Sequence, residues 1–226
     1  MKDGKKLAAS TKEADNELQL WEHTVDGKTE YEMVINGVFI MATYNFLSSE
    51  LLVRNTVKDM IAADKKILIG GLGFGFSLRE ACRHGKKIKE IYVVEYSPAV
   101  IEWNHTYLHD LNGRYLESRK VHVIRDDFIS YVMDTEVKFD AICMDIDNGP
   151  MLLIHEENSR AYTTGFFSRI KEILNTDGLF SVWSGNKDPQ LYDDIVRVFG
   201  NCTMEEAIEN HFGKDVTYYL YTGKYR

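Results

Sequence analysis

Four glycines within six residues follow a short apolar run in the first half of the chain. The run Ile67–Ile69 is typical of a buried strand, and Gly70–Gly75 has the sequence Gly-Gly-Leu-Gly-Phe-Gly. Glycine allows a backbone to turn sharply and to approach a ligand without a Cβ clash. The helix predicted from Phe76 to His84 adds unpaired N–H groups at its start. This segment is a candidate nucleotide-binding turn, with a dinucleotide site and a purely structural turn as alternatives. The glycines concerned are Gly70, Gly71, Gly73 and Gly75.

Acidic residues stand at the ends of the next two predicted strands. Glu95 ends the strand Glu90–Val94, about 20 residues after the glycines, which is the usual place of an acid that binds ribose hydroxyls. Asp126 and Asp127 follow the strand Val121–Ile124. We expect Asp126 to accept a hydrogen bond from an adenine amino group. Asp127, also a candidate cofactor-binding residue, is able to cap the next helix. Because a dinucleotide enzyme has no need of Asp126, this order favours an adenosyl nucleotide.

A third acidic segment follows the strand Phe139–Met144, where Asp145 and Asp147 precede Asn148-Gly149-Pro150. Two carboxylates at the edge of a sheet suit the recognition or deprotonation of an acceptor amine. They are equally suited to holding the amine of the donor. We therefore assign both as candidate catalytic residues and Asp145 also as a cofactor-binding residue. The alternative is a turn in which Asp, Asn, Gly and Pro serve only the backbone conformation.

Three aromatic residues are candidates for the wall of an acceptor pocket. They are Tyr44, Tyr162 and Trp183. Tyr162 is also a candidate catalytic residue. Buried aromatic side chains are common in protein cores, so an ordinary packing role is the alternative for all three.

The alternation of strand and helix patterns after Lys65 predicts a parallel sheet covered by helices on both faces. We expect seven strands, the last of them antiparallel. Residues 17–63 are predicted to form a small β meander and a linking helix, since Asp26-Gly27 and Asn36-Gly37 are hairpin signals. Residues 1–16 are polar and charged, and we expect a disordered tail there. The domain that binds the nucleotide is expected at residues 64–226.

Composition argues against several other classes of protein. The 226 residues carry a formal net charge of −8, which argues against a nucleic-acid partner. No apolar run is long enough to span a membrane, and no secretory signal is apparent, so we expect a cytoplasmic protein. Three widely spaced cysteines are not a disulfide framework. His105 and His109 are spaced as metal ligands, but solvent-facing polar roles are favoured, and we expect no metal.

Four segments resemble the spermidine synthase family, a branch of the class I S-adenosylmethionine-dependent methyltransferase fold, which is Rossmann-like. They are residues 67–80 (ILIGGLGFGFSLRE), 92–100 (YVVEYSPAV), 121–128 (VHVIRDDF) and 139–150 (FDAICMDIDNGP). The resemblance covers residues 17–183. It implies that Glu95 binds the ribose, that Asp126 lies near the adenine and that Asp145 assists deprotonation of the attacking amine. It places Tyr162 near the acceptor pocket, and it implies a homodimer.

The glycine turn departs from the family pattern. The family has Gly-Gly-Gly-Asp-Gly-Gly, whose aspartate holds the amine of decarboxylated S-adenosylmethionine. The matching place here, Gly73 or its neighbours, has no carboxylate. The carboxylate of S-adenosylmethionine, by contrast, could meet N–H groups at the turn.

We therefore expect a transferase that uses S-adenosylmethionine to transfer a methyl or other alkyl group to a small-molecule or peptide acceptor, such as an amine. The first alternative is an aminopropyltransferase that uses decarboxylated S-adenosylmethionine and a polyamine. The second is a non-catalytic nucleotide-binding protein.

Overall fold

The computed structural model describes residues 4–58, 60, 63–146, 149–150, 153, 156–211 and 214–226. The chain divides into two units, one ending at Phe46 and the other running from Leu47 to Arg226. The helix expected to link the two parts begins the second unit, so the boundary lies at residue 46 rather than 63. Within the described residues, no helix combines the length and the apolarity that a membrane crossing needs.

The first unit contains a four-stranded antiparallel sheet in sequential order. Its strands are β1 (Lys6–Glu13), β2 (Asn16–Val25), β3 (Lys28–Ile35) and β4 (Val38–Ala42). The expected turns are present, because Asp26-Gly27 and Asn36-Gly37 all have positive φ angles, as a two-residue hairpin requires. The expectation of a disordered tail is wrong for β1, which pairs with β2. Its charged composition suits an edge strand, where lysine and glutamate discourage pairing with other chains.

The second unit contains a seven-stranded sheet of order β10-β11-β9-β8-β5-β6-β7. Its strands are β5 (Lys65–Gly70), β6 (Ile88–Glu95), β7 (Val121–Arg125), β8 (Phe139–Met144), β9 (Leu174–Ser184), β10 (Thr203–His211) and β11 (Lys214–Lys224). Strands β5 to β9 pair in parallel, and β10 and β11 are antiparallel. The predicted fold class is therefore confirmed. The carboxyl ends of β5, β6, β7 and β8 lie at one edge, which is where ligands bind in such sheets.

Seven α-helices of the described chain connect or flank these strands. They are α1 (Leu47–Lys58), α2 (Phe76–Arg83), α3 (Pro98–His105), α4 (Arg114–Leu116), α5 (Phe128–Asp134), α6 (Thr164–Glu172) and α7 (Pro189–Phe199). A π-helical turn covers His109–Gly113, and a 3₁₀ segment covers Glu156–Tyr162. Side-chain caps fix where helices begin: Ser97 accepts from Val100 N at the start of α3, and Asp188 accepts from Leu191 N at the start of α7.

The core lies on both faces of the central strands. Ile67, Leu68 and Ile69 of β5 are fully buried, as is Ile142 of the neighbouring β8. This continuous apolar run is typical of a parallel strand that helices cover on both sides. Such packing fixes the carboxyl ends of β5 and β8 against each other.

A buried ionic network joins α1 to α2. Glu50 and Glu80 are only 4% and 3% exposed. Arg54 Nε lies 2.8 Å from Glu80 Oε1, Arg79 Nη2 lies 2.8 Å from Glu50 Oε1, and Arg83 Nη1 contacts both carboxylates. Burial raises the pKa of Glu80, but hydrogen bonds from Arg54 and Arg83 outweigh it and bring the pKa to about 2. The network therefore holds α1 beside the helix that follows the glycine turn.

We expect this network to make stability fall in acid. The folded-state pKa of Glu80 is depressed from 4.5 to about 2. The contribution of its carboxylate to the free energy of unfolding is therefore complete above pH 4.5 and is lost as the pH falls toward 2. Glu80→Gln should cost roughly 3 kcal/mol at pH 7 and much less at pH 3. Urea unfolding at both pH values measures this. Glu172→Gln, which removes an exposed partner of Arg169, is the control and should cost under about 1 kcal/mol. An equal loss of unfolding free energy for Glu80→Gln at both pH values would show that the acid sensitivity does not come from the Glu80 carboxylate.

Candidate active site

The glycine turn is held in a conformation that only glycine adopts easily. Gly71, Gly73 and Gly75 have φ angles of +87°, +50° and +79°. A Cβ on Gly71 would lie 2.3 Å from the backbone oxygen of Asp145. Asp145 N also donates to Gly70 O at 2.9 Å. The glycines therefore allow the ends of β5 and β8 to touch, which is a structural role that does not exclude binding.

Glu95 closes the turn from the neighbouring strand β6. Its Oε2 accepts from Leu72 N at 2.9 Å and more weakly from Gly73 N at 3.4 Å, and its Oε1 accepts from Ser97 N at 2.8 Å. These bonds fix the orientation of the half-buried carboxylate. Because a carboxylate has about four acceptor sites, Glu95 can also take part in binding a ribose. Ribose binding by Glu95 stays a prediction.

Two buried asparagines, which the sequence analysis missed, support the turn. Asn104 Nδ2 donates to Gly73 O at 2.7 Å, and Asn112 Nδ2 donates to Phe74 O. Both asparagines are fully buried. Charged or polar residues flank both, so no local sequence signal distinguishes them. These hydrogen bonds fix the backbone conformation of the turn.

Asp126 and Asp127 have different roles. Asp127 caps α5, because its Oδ1 accepts from the backbone N and the hydroxyl of Ser130, both at 2.9 Å. This agrees with the capping role and argues against the direct contact with a nucleotide that was also assigned to it. Asp126 is exposed at the same edge, and its backbone N donates to Glu95 O at 3.2 Å. Its place beside Glu95 suits the predicted contact with adenine.

Asp145 lies at the end of β8, half-buried and beside the turn. Ser77 Oγ donates to its Oδ2 at 3.1 Å and also lies 3.2 Å from Ser49 O. Burial raises the pKa of Asp145, and hydrogen bonds from the hydroxyls of Ser49 and Ser77 partly offset this. A raised pKa makes a carboxylate a stronger base. Asp145 is therefore suited to accept a proton from an amine.

The other predicted residues have different surroundings. Asp147 lies outside the described residues. Tyr162 ends the 3₁₀ segment and packs against the core, in keeping with the alternative role. Tyr44 lies in the first unit, where its hydroxyl donates to Glu32 at 2.7 Å. Trp183 lies in β9 directly after Val182, which pairs with Met144 of β8, so it is beside Asp145 in the sheet.

Metal ligation finds no support in the described ranges, where no three His, Cys, Asp or Glu residues form a group that could hold an ion. His109 instead contacts the carboxylates of Asp110 and Glu117 at 3.5 and 3.4 Å. The candidate site contains carboxylates, hydroxyls and backbone groups around the glycine turn.

A family model described as the spermine/spermidine synthase domain matches residues 45–221. The chain belongs to the spermine/spermidine synthase family. The matched residues include the whole sheet edge that carries Glu95, Asp126 and Asp145.

Similar curated proteins are polyamine aminopropyltransferases. That of Saccharolobus solfataricus is 27% identical over 174 residues, covering 76% of this chain and 56% of the relative. That of Erwinia tasmaniensis is 28% identical over 165 residues, covering 69% and 55%, and that of Thermococcus onnurineus is 32% identical over 143 residues, covering 60% and 48%. The chain thus spans about half the length of these members of the spermine/spermidine synthase family.

Solved structures agree in fold. Spermidine synthase from Thermotoga maritima has a TM-score of 0.78 at 18% identity, covering 97% of this chain and 72% of that chain. A spermidine synthase in complex with the transition state analogue AdoDATO gives the same TM-score at 19% identity and the same coverage.

The expectation of methyl transfer is wrong. The family model and the aminopropyltransferase relatives overturn it. The expectation depended on one missing carboxylate in the glycine turn. The glycine turn has no carboxylate, but it lies against the end of the strand that carries Asp145. A carboxylate is therefore beside the turn in the folded protein.

We expect Gly71→Ala to disrupt this candidate site. The new Cβ would meet the Asp145 oxygen at 2.3 Å, whereas a Cβ on Gly200, with a similar φ of +76°, meets nothing within 4 Å. Gly200→Ala is therefore a matched control for backbone strain alone, which costs about 1–2 kcal/mol. Gly71→Ala should cost about 2 kcal/mol more in urea unfolding and weaken binding of methylthioadenosine in calorimetry. Equal costs for the two variants would refute the proposed contact.

The predicted ribose contact of Glu95 implies that Glu95→Ala weakens methylthioadenosine binding by about 100-fold, because two ribose hydroxyls would lose a charged acceptor. Isothermal titration calorimetry measures this affinity. Glu102→Ala, on the exposed face of α3, is the control and should leave the affinity unchanged. If Glu95→Ala bound as tightly as the unaltered protein, the ribose would have to lie elsewhere.

Proposed function

We propose that this chain is an aminopropyltransferase that uses decarboxylated S-adenosylmethionine and an amine acceptor of the polyamine class. Family membership and the names of the relatives support this activity. The observation that carries it is the position of Asp145, a carboxylate with a raised pKa at the strand end that touches the glycine turn.

The adenosyl part of the donor would lie along the edge formed by β5, β6 and β7. Glu95 would accept hydrogen bonds from the ribose, and Asp126 would accept one from the adenine amino group. The sulfonium and the propyl chain would then lie near Gly71 and Asp145. A donor without a carboxylate suits this place better, because S-adenosylmethionine would bring a second negative charge toward Asp145.

Aminopropyl transfer needs an uncharged acceptor nitrogen. The nitrogen attacks the propyl carbon that is bonded to sulfur, a C–N bond forms, and the C–S bond breaks. The bonding electron pair goes to sulfur and leaves methylthioadenosine as a neutral thioether. Asp145 would take the proton that the acceptor ammonium must lose, and its raised pKa suits this step. Alignment of the reacting atoms supplies the remaining acceleration.

The products distinguish the possible activities. With decarboxylated S-adenosylmethionine and putrescine, we expect methylthioadenosine and an aminopropylated amine, measured by liquid chromatography and mass spectrometry. With S-adenosylmethionine, we expect no S-adenosylhomocysteine. Nucleotide binding without any product would contradict the proposal and favour a non-catalytic protein.

Asp145→Asn should lower kcat by about 100-fold to 10,000-fold, because the amide cannot accept the proton. The affinity for methylthioadenosine should change little, which calorimetry checks. Asp193→Asn, on the exposed face of α7, is the matched control and should keep full activity. If kcat and nucleotide affinity fell together, Asp145 would be a donor-binding residue instead of a base.

A further inference from the structure

The hydroxyl of Ser77 has two acceptors within reach and one proton to donate. Ser77 lies in the first turn of α2 and is only 3% exposed. Its Oγ is 3.1 Å from Asp145 Oδ2 and 3.2 Å from the backbone oxygen of Ser49. A serine hydroxyl carries a single hydrogen, which rotates toward the better acceptor. The bond that Ser77 makes therefore depends on the charge of Asp145.

The second acceptor, the backbone oxygen of Ser49, is held in place from both sides along α1. The backbone N of Ser48 donates to the buried carboxylate of Glu209, and Glu50 pairs with Arg79 of α2 at 2.8 Å. A carbonyl oxygen has two lone pairs, so it can accept from a hydroxyl in addition to the hydrogen bond that it makes within a helix. The second acceptor is therefore present whatever the charge of the first.

Asp145 has to exist in two charge states if it acts as the base. Burial disfavours its charged form, and hydrogen bonds from Ser49 and Ser77 oppose this effect. A hydrogen bond to a charged oxygen is stronger than one to a neutral oxygen, so the Ser77 hydroxyl turns to Asp145 while that group is a carboxylate. After Asp145 takes a proton, the hydroxyl can turn to Ser49 O. Neither state leaves a buried donor unpaired, which would be costly.

The other charged and titratable groups around Asp145 are engaged elsewhere. The ionic network holds Glu50 and Arg54 of α1 and the charged residues of α2, and Glu95 accepts from the glycine turn. Burial and, to a smaller extent, the charge of Asp145 raise the pKa of Cys143 to about 12, so this thiol of β8 stays neutral. The remaining charged residues of α1, β5 and β9 lie toward the far ends of these elements: Lys58, Lys65, Lys66 and Asp177.

We propose that Ser77 is a positioning residue for the base, and that its hydroxyl donates to the Asp145 carboxylate before proton transfer and to Ser49 O afterwards. This role rests on the proposed function, because it presupposes that Asp145 takes the proton of the acceptor ammonium. That proton stays on the Asp145 carboxyl until it passes to solvent, and Ser77 keeps its own proton and changes only its acceptor. Asp145 thus stays ionised at a lower pH than burial alone would allow.

The test follows kcat/KM for putrescine against pH, with decarboxylated S-adenosylmethionine saturating. Activity falls in acid as Asp145 becomes protonated. Ser77→Ala removes a hydrogen bond that stabilises the carboxylate, so the midpoint of this fall should move up by about one pH unit. At the midpoint of the unaltered protein, the variant should be roughly five-fold less active. Well above both midpoints, kcat/KM should change little.

Two further variants separate the hydroxyl from the packing of the side chain. Ser77→Thr keeps the hydroxyl and should restore the original midpoint. Ser168→Ala removes an exposed hydroxyl that bonds to Thr164 O within α6, and this matched control should leave the profile unchanged. An equal loss of activity at every pH in Ser77→Ala overturns the inference. A midpoint that moves as far in Ser77→Thr as in Ser77→Ala also overturns it, since the hydroxyl would then not be the cause.

Titration of Asp145 itself checks the same role without turnover. In protein labelled with carbon-13 at the aspartate carboxyl groups, the resonance that is missing from Asp145→Asn belongs to Asp145. Its titration midpoint should rise by about one pH unit in Ser77→Ala and stay in place in Ser168→Ala. An unchanged midpoint in Ser77→Ala overturns the inference even if the enzyme is active. A shifted midpoint without any product from decarboxylated S-adenosylmethionine supports the role of Ser77 and refutes only the proposed function.

Discussion

The close contact between the ends of β5 and β8 is the constraint on which the site depends. Asp145 N donates to Gly70 O, and the oxygen of Asp145 leaves no room for a Cβ on Gly71. This contact places a carboxylate with a raised pKa directly beside a turn rich in backbone N–H groups. Fully buried apolar strands hold the two ends in place, so the geometry exists before any ligand arrives.

Helix α1 is the second determinant of the site, although the sequence suggested only a linker. Its buried Glu50 pairs with Arg79 and Arg83 of α2, which fixes its first turn relative to the helix that follows the glycines. That first turn supplies Ser48 and Ser49, which bond to Glu209 and Asp145. The ionic network thus stabilises the fold and also orients the carboxylates.

The sequence predicts much of the fold because its patterns are local. Alternation of apolar strands and amphipathic helices identified the seven-stranded sheet, and position at a strand end was enough to place Glu95 and Asp145 at the same edge of that sheet. Strand β1 escaped detection because an edge strand can be as charged as a disordered tail. Asn104, Ser77 and Glu209 escaped detection because their contacts join residues far apart in the chain, which spacing alone does not reveal.

The same limit explains why the sequence pointed to S-adenosylmethionine as the donor. A missing aspartate in the glycine turn suggested a site without a partner for the donor amine, but a sequence motif records only what lies along the chain. In the folded protein, Asp145 reaches the turn from another strand. A carboxylate at that place favours a cation and disfavours another carboxylate. The carboxylate of Asp145 therefore favours the proposed donor, which has an ammonium group and no carboxylate.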